Sequence, residues 1–360
     1  MSSPRQAAVG SADLADLPRG PQRRRGAYAA AAARTWRLLE GEPDGFPARA
    51  LVHAATLAAN SHNTQPWKFT VENDTVWIAP DFERRTPVVD PDDHHLFASL
   101  GCAAETMLQA APFYGWVGTL ESVHPVKGLE LRFIRQDKVN HGLAEAISHR
   151  ASTRSEYDGR PVAVSELKRL EAVGGESVAT TIITDRARLE QATEFVVSGN
   201  AVQVRSRPFR QELKAWIRFS AGEALRRGDG LFAGSSQNPS MPRVIGEPMF
   251  ELSFTVKGET DKIVRQMRSS AGLAVFSARR NDPSGWVEAG RAYTRFALLA
   301  TASGLKTAFL NQPIEDAPTR AAFSTWLEQP GTRPNLVVRF GAGPDLPRSV
   351  RRPLDAVLSV

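Results

Sequence analysis

Arg150, Ser152 and Arg154 alternate along Arg150-Ala151-Ser152-Thr153-Arg154. Two guanidinium groups and a hydroxyl at that spacing can converge on one phosphate through charge-assisted hydrogen bonds. Near a helix start, backbone N–H groups add to the pull on an anion. The same residues also fit a solvated helix start or a charge run. A second candidate is Asn60-Ser61-His62-Asn63-Thr64-Gln65-Pro66-Trp67. Its amides both donate and accept, which suits a ligand edge that alternates donors and acceptors. A polar turn ahead of a strand, with Trp67 in the core, is the plainer account. Leu310-Asn311-Gln312-Pro313 follows an expected strand and could turn backbone N–H groups toward a ligand. Arg348-Ser349-Val350-Arg351-Arg352-Pro353 offers more guanidinium groups, or a basic tail in water. Asp90, Asp92, Asp93, His94 and His95 suggest a metal, but acidic residues at a helix start serve its dipole and cap, so no metal is expected. The single cysteine, Cys102, excludes an intramolecular disulfide and a cysteine-based metal cluster, and among alanines it reads as packing. Gly228-Asp229-Gly230 with Gly234 neither follows a strand nor opens a helix, so it is no dinucleotide fingerprint.

The elements that must position these residues show a repeat. Asp90-Pro91, Gly101-Cys102-Ala103, Ala111 and Gly115 recur as Asp282-Pro283, Gly290-Arg291-Ala292, Ala300 and Gly304. In both copies the glycines stand fourteen positions apart. Asp-Pro predicts an N-cap with proline at the first helical position. Leu96, Leu100, Ala103, Met107, Leu108 and Ala111 keep a helical period, as do Ala289, Ala292, Tyr293, Phe296 and Leu299. A helix is expected near 46–58 and a hairpin around Glu72-Asn73-Asp74, from Phe69, Val71, Val76 and Ile78. Further strands are expected at Leu129–Phe133, Val178–Ile183, Leu273–Phe276, Leu305–Leu310 and Leu336–Phe340. Residues from about 200 to 265 have no counterpart in the first half; they read as a helix over Phe209–Leu225 and then a Gly/Ser/Pro-rich loop over Gly228–Pro242. Such insertions are binding loops, lids or surface excursions.

Composition sets the frame. The chain has 360 residues, 42% apolar and 23% charged, enough for a sizeable core without staples. The net charge of +6 raises nucleic acid as a partner. The arginines are dispersed, and no zinc-finger, RNA-recognition or basic-zipper spacing is present, so none is expected. Excess arginine also suits small anionic ligands. Arg23-Arg24-Arg25 followed by Gly26 to Ala33 is marginal as a twin-arginine export signal; the favoured reading is a disordered basic tail over residues 1–25 and a helix near Tyr28–Leu39. No apolar run is long enough to span a membrane, and a cytoplasmic location is expected.

Taken in order, these motifs resemble the nitroreductase superfamily of FMN proteins, specifically its Acg-like branch. The match runs from about Phe46 onward through Asn60–Trp67, Arg150–Arg154, Tyr157-Asp158-Gly159-Arg160-Pro161, Gly290 to Gly304, Asn311-Gln312-Pro313 and Arg351-Arg352-Pro353-Leu354. The resemblance implies an α+β nitroreductase-like fold of two pseudo-symmetric halves in one chain, an internal fused dimer, at 26–145 and 146–360, with a lid-like insertion at about 200–265. It implies FMN at the junction: Arg150, Ser152, Arg154 and Arg351 on the phosphate, Asn60, Ser61, Asn63 and Gln65 along the flavin and ribityl chain, and backbone at Asn311 and Gln312 toward N5. His62 would be a polar neighbour of the ring rather than an acid or base. Ser349 stands where many relatives carry lysine, which leaves Arg348 or Arg352 to supply that charge. Gln-Pro-Trp and Arg-x-Ser-x-Arg each occur in one half alone, so one flavin site per chain is expected, and the fused pseudo-dimer could act as a monomer. The implied activity is hydride transfer from NAD(P)H through FMN to a nitro compound, quinone or similar small acceptor. The alternative is a lid-closed protein that holds or sequesters flavin with little reductase activity.

Overall fold

In the computed structural model, residues 21–41, 45–136, 142–329 and 332–359 are described. Most of the expected basic tail therefore lies outside the described residues. Its last part is helical: α1 runs Pro21–Thr35, starting and stopping earlier than the sequence pattern indicated. Its alanines let it lie close to the body, where Tyr28 and Ala32 pack with Ala221, Ala224, Phe232 and Val350. No described helix is long and apolar enough to cross a membrane.

The first half continues with α2 (Ala48–Thr56), β1 (Trp67–Glu72), β2 (Thr75–Pro80), α3 (His94–Ala110), β3 (Trp116–His124) and β4 (Gly128–Arg135). The β1–β2 hairpin forms where expected, with Asn73 in the left-handed conformation at its turn. The second half holds α4 (Ala144–His149), α5 (Val164–Glu171), β5 (Val178–Ile183), α6 (Arg186–Arg205), α7 (Arg207–Trp216), β6 (Ile217–Arg218), α8 (Ala221–Arg227), β7 (Leu231–Phe232), α9 (Arg243–Ser253), α10 (Val256–Arg268), β8 (Gly272–Ala278), α11 (Pro283–Ala302), β9 (Lys306–Phe309), α12 (Gln312–Glu315), α13 (Ala317–Trp326), β10 (Arg333–Gly341) and β11 (Leu358–Ser359).

One sheet runs β11-β1-β2-β4-β3 and the other β5-β8-β10-β9. Leaving β11 aside, each orders its own strands first, second, fourth, third, and each places its long helix between its second and third strands. β11, from the end of the chain, pairs in parallel with β1, so the C-terminal segment returns to the first sheet.

α3 and α11 pack against each other in the middle of the molecule, and the repeat glycines explain how. A Cβ on Gly101 would stand 2.1 Å from the Val287 carbonyl oxygen, and one on Gly290 would stand 1.9 Å from that of Ala98. The close approach is reciprocal, and only glycine permits it at either point. The trailing glycines have matching backbones: Gly115 has φ 75° and Gly304 φ 76°, the left-handed conformation that ends a helix. Ala103, Ala111, Ala292 and Ala300 are fully buried. One core joins both sheets around this helix pair, and a second lies on the far face of β8 and β10 under α6, α10 and α13. Covered on both faces, β8 reads as a continuous apolar run rather than an alternating one.

Two local expectations are corrected. Asp282 caps α11 as expected, accepting from Gly285 N–H with Pro283 at the first position. Asp90-Pro91 does not open α3, which begins at His94. The Asp90 carboxylate instead reaches forward across a turn to accept from His95 N–H (2.9 Å) and Leu96 N–H (3.0 Å). The second correction concerns the insertion. It fills everything between β5 and β8, starting with the 20-residue α6 rather than near residue 200. It is mostly helical, and the expected helix over Phe209–Leu225 breaks at β6, where Ile217–Arg218 pair with Leu231–Phe232. Tertiary pairing in this minisheet overrides helix propensity.

Candidate functional site

The segment after α2 has an uncommon backbone. His62 (φ 49°), Asn63 (φ 54°) and Gln65 (φ 53°) are all left-handed without being glycine, a conformation that costs energy unless surrounding contacts impose it. Those contacts are specific. Asn60 Oδ1 accepts from Gln65 N–H (2.9 Å). The Asn63 amide donates to the carbonyls of Gly230 (3.1 Å) and Val350 (3.2 Å) and accepts from Arg351 (2.9 Å). Gln65 donates to the Gly228 carbonyl (2.8 Å) and accepts from Arg352 N–H (2.9 Å). The loop is thus pinned by the insertion on one side and the C-terminal segment on the other.

The carbonyl end of α2 gathers the arginines. Arg351 donates to the carbonyls of Thr56 (2.7 Å), Leu57 (3.2 Å) and Ala58 (3.2 Å), and Arg150 donates to that of Leu57 (3.0 Å). A helix C-terminus carries partial negative charge and attracts cations in this way. Arg150, Arg348 and Arg351 also surround one indole, that of Trp36, at 5.4, 5.1 and 4.9 Å from its ring. Among the described residues, no ion pair joins Arg150, Arg154, Arg348 or Arg351 to a carboxylate. Burial, and then the neighbouring Arg150 charge, push the Arg351 guanidinium down to about 9. Burial also depresses Arg154. Nη1 of Arg150 is buried with no hydrogen-bond partner. A cavity of about 60 Å³ opens here, bordered by Trp36, Asn60, Asn63, Arg150, Ser152, Arg154, Arg348 and Arg351. Uncompensated positive charge around a small void asks for an anion.

Asn60 and Arg154 also border a second cavity, of about 260 Å³, together with Ser61, His62, Asn311 and Gln312. Its roof is the insertion: Phe209, Leu213, Leu231, Phe254 and Ile263 face it. Three buried polar atoms on its wall have no partner, Asn200 Nδ2, Gln312 Oε1 and Arg339 Nε. His62 accepts or donates at Nδ1 to Ser61 Oγ (3.0 Å), and burial, aided by Arg154 and His95, holds its pKa down at about 4, so the ring is neutral at pH 7. Beside it lies a buried ion pair. His95 Nε2 stands 3.3 Å from Glu315 Oε1, and Gln203 donates to Glu315 Oε2 (2.5 Å). Burial alone would lower His95, but the hydrogen bond to Glu315 and the Asp90 and Glu315 charges outweigh it and raise it. Burial opposes the Glu315 carboxylate, yet its bonds to His95 keep it below the usual range.

Of the residues singled out in the sequence, Arg150, Ser152, Arg348 and Arg351 meet at the smaller cavity, Ser61, His62, Asn311 and Gln312 at the larger, and Asn60 and Arg154 at both. Asn63 borders the smaller cavity, but its amide is fully engaged in the loop. Gln65 and Arg352 border neither of these two cavities. Gln65 is wholly buried in contacts to Gly228 and Arg352, while the Arg352 side chain turns to Asp81 and the Ala356 carbonyl. The Asn311 side chain is engaged in the fold, its Oδ1 accepting from Val337 N–H (2.9 Å). Trp36, Gln203, Glu315 and Arg339 escaped the sequence reading, and His95 figures there only as part of the acidic and histidine-rich helix start. None of the former sits in a recognisable pattern, and only the fold brings them to the wall.

No family model matches the chain. Among curated proteins, “Putative NAD(P)H nitroreductase Rv3131” of Mycobacterium tuberculosis H37Rv is 24% identical over 329 residues, 88% of this chain and 92% of that protein. “Putative NAD(P)H nitroreductase acg” of the same organism is 24% identical over 327 residues, covering 87% of this chain and 95% of that one. Among solved structures, the FMN-dependent nitroreductase NfnB from Mycobacterium smegmatis in complex with NADPH is 12% identical, with 61% of this chain and 97% of that chain covered and a TM-score of 0.40. The resemblance read from the ordered motifs is borne out by these similarities to proteins named as NAD(P)H nitroreductases. Its similarity to each of these two mycobacterial proteins extends over most of its length.

Proposed function

We propose that the chain is an FMN-dependent NAD(P)H oxidoreductase of the nitroreductase type, with one flavin site formed between two fused halves. The observation that carries this is the cluster of four arginines, none ion-paired to a carboxylate among the described residues, around one cavity that adjoins a larger one at Asn60 and Arg154. The donor set fits the cofactor. Arg150, Arg154, Arg348 and Arg351, with Ser152, would hold the phosphate. Asn60 and Ser61 would border the ribityl chain and ring, and the unpaired Gln312 Oε1 and Arg339 Nε would meet polar ring edges. When bound, the flavin carries electrons from the nicotinamide to a small acceptor such as a nitro compound or quinone. The protein's part is to bind, orient and exclude water. Neutral His62 offers a hydrogen bond without adding charge, and the His95–Glu315 pair adds no net charge of its own. The shared strand order and the reciprocal α3–α11 contact support two halves derived from one unit, and the motifs found in one half alone support a single site.

A second reading draws on the insertion. Phe209, Leu213, Phe254 and Ile263 cover the larger cavity, which favours a lid that retains flavin and restricts acceptors. The first test is the visible spectrum of the purified protein, compared with that of an Arg150→Ala, Arg154→Ala double variant. Full flavin retention by a folded variant would remove the phosphate assignment. Anaerobic mixing with NADH or NADPH then separates the readings: rapid bleaching supports the reductase, and bleaching by dithionite alone supports the closed flavin holder.

A further inference from the structure

The acidic and histidine-rich turn before α3 reads, in sequence, as a cap. In the structure Asp90 accepts two backbone N–H groups at the start of α3 and His95 pairs with Glu315 through one nitrogen, while His94 keeps a buried nitrogen that no hydrogen bond explains. Asp90, His94 and His95 are 2, 2 and 5% exposed, and one ligand-capable atom of each lies within 4.8 Å of the others. The two Asp90 oxygens each accept one backbone N–H, which leaves each a further lone pair. His94 Nε2 is buried without a hydrogen-bond partner. A buried polar atom in that state costs folding energy unless something fills its lone pair.

We propose that Asp90, His94 and His95 bind a divalent transition-metal ion, with zinc the best fit. Two imidazoles and one carboxylate form a donor set for zinc, cobalt, nickel or ferrous iron rather than for magnesium or calcium. His95 has the arrangement of a metal ligand: Nε2 faces the Glu315 carboxylate, which fixes the ring and leaves Nδ1 as the nitrogen available to the cluster. His94 is kept neutral, as a ligand must be, by burial and by the nearby His95, Arg333 and Arg320 charges. Of these cations, Arg333 is already paired with Asp92 at 2.7 Å. Donor atoms around a tetrahedral zinc stand about 3.3 Å apart, so the three side chains close by rotation rather than by backbone movement. In the metal-bound form the ion takes the place of the His95 Nδ1 proton, which leaves to solvent. The ion would tie the turn before α3 to α12, through Glu315, at the wall of the larger cavity.

The experiment uses the full chain, stripped with a chelator and dialysed against micromolar zinc, then against cobalt. The expected result is one zinc per chain, visible ligand-field bands with cobalt, and proton release on titration. His94→Gln is expected to weaken binding at least tenfold. Asp90→Asn tests the same site without touching an imidazole. A folded wild-type protein that takes up no zinc overturns the proposal, and so do folded variants that bind as the wild type does. Should both variants misfold, the wild-type stoichiometry and proton release decide.

Discussion

Arg351 shows how the candidate site is built at the scale of one residue. Its guanidinium caps the carbonyls of α2, lies 4.9 Å from the Trp36 ring and is held below its ordinary pKa, so a bound anion would relieve it. Arg351→Ala is expected to weaken flavin binding by roughly 10–100-fold, the worth of a charge-assisted hydrogen bond, measured by titrating the stripped protein. Arg351→Lys is expected to recover only part of this, because lysine lacks the planar fork. His62 gives a pH prediction. Its pKa in the folded chain is about 4, against 6.5 for the free side chain. Between those values the unfolded chain takes up a proton that the folded chain does not, so stability falls as pH drops from 6.5 toward 4. The slope is at most about 1.4 kcal/mol per pH unit for one group. His94 acts in the same direction, whereas His95, raised by Glu315, contributes stability at low pH that is lost as pH rises through its folded value. Thermal unfolding followed from pH 7 to 4.5 is expected to show a decline that His62→Gln reduces.

At the scale of elements, the α3–α11 crossing is the feature the rest depends on. The Gly101 and Gly290 contacts are backbone to backbone, with no flexible side chain to move aside. Gly101→Ala or Gly290→Ala is expected to destabilise by about 3 kcal/mol or to prevent folding, read from the denaturant midpoint. Gly304→Ala is the control. Nothing lies within 4 Å of its Cβ position, so only the left-handed φ of 76° is penalised, by about 1–2 kcal/mol. The repeat made both helices legible, because a glycine with flanking buried alanines recurs at fixed spacing. That the two glycines face each other was not legible, since packing partners leave no mark in local spacing. Glu105 is a case in point. It is buried on α3 and receives Arg291 and Arg295 from α11, both at 2.9 Å, yet nothing near it in sequence announces the bond.

At the scale of the whole molecule, the insertion borders the larger cavity and the C-terminal segment borders the smaller one. Asp229 fastens the insertion. It takes Arg84 of the first half at 2.5 Å and Arg218 at 2.7 Å. Arg218 is 2% exposed, so Asp229→Asn leaves a buried charge uncompensated and is expected to lower stability by about 3–5 kcal/mol. The same change loosens the cover, so flavin exchange and bleaching by NAD(P)H are expected to quicken in stopped-flow measurements. Unchanged rates in a destabilised variant would separate the cover from access. The C-terminal segment brings Arg348 and Arg351 to the α2 end and then adds β11 to the first sheet. A division of the chain at residue 145 therefore describes its sequence better than its contacts.

By itself the sequence marked the two repeat helices, the first hairpin and the strands β4, β5, β8, β9 and β10, because periodicity, proline and glycine act locally. It also marked most of the residues that border the two cavities, because Arg-x-Ser-x-Arg and Asn-x-x-Asn-x-Gln-Pro-Trp are compact patterns. The tertiary structure alone decided which of those side chains face a cavity. Gln65 and Arg352 carry the right groups, yet they turn into the wall, where the backbone of the insertion and the C-terminal segment need their hydrogen bonds. It also decided that Trp36, His95, Glu315 and Arg339, far apart in the chain, border the site. Burial and charge at a point in space are sums over neighbours from every element, and no spacing along one chain encodes that sum.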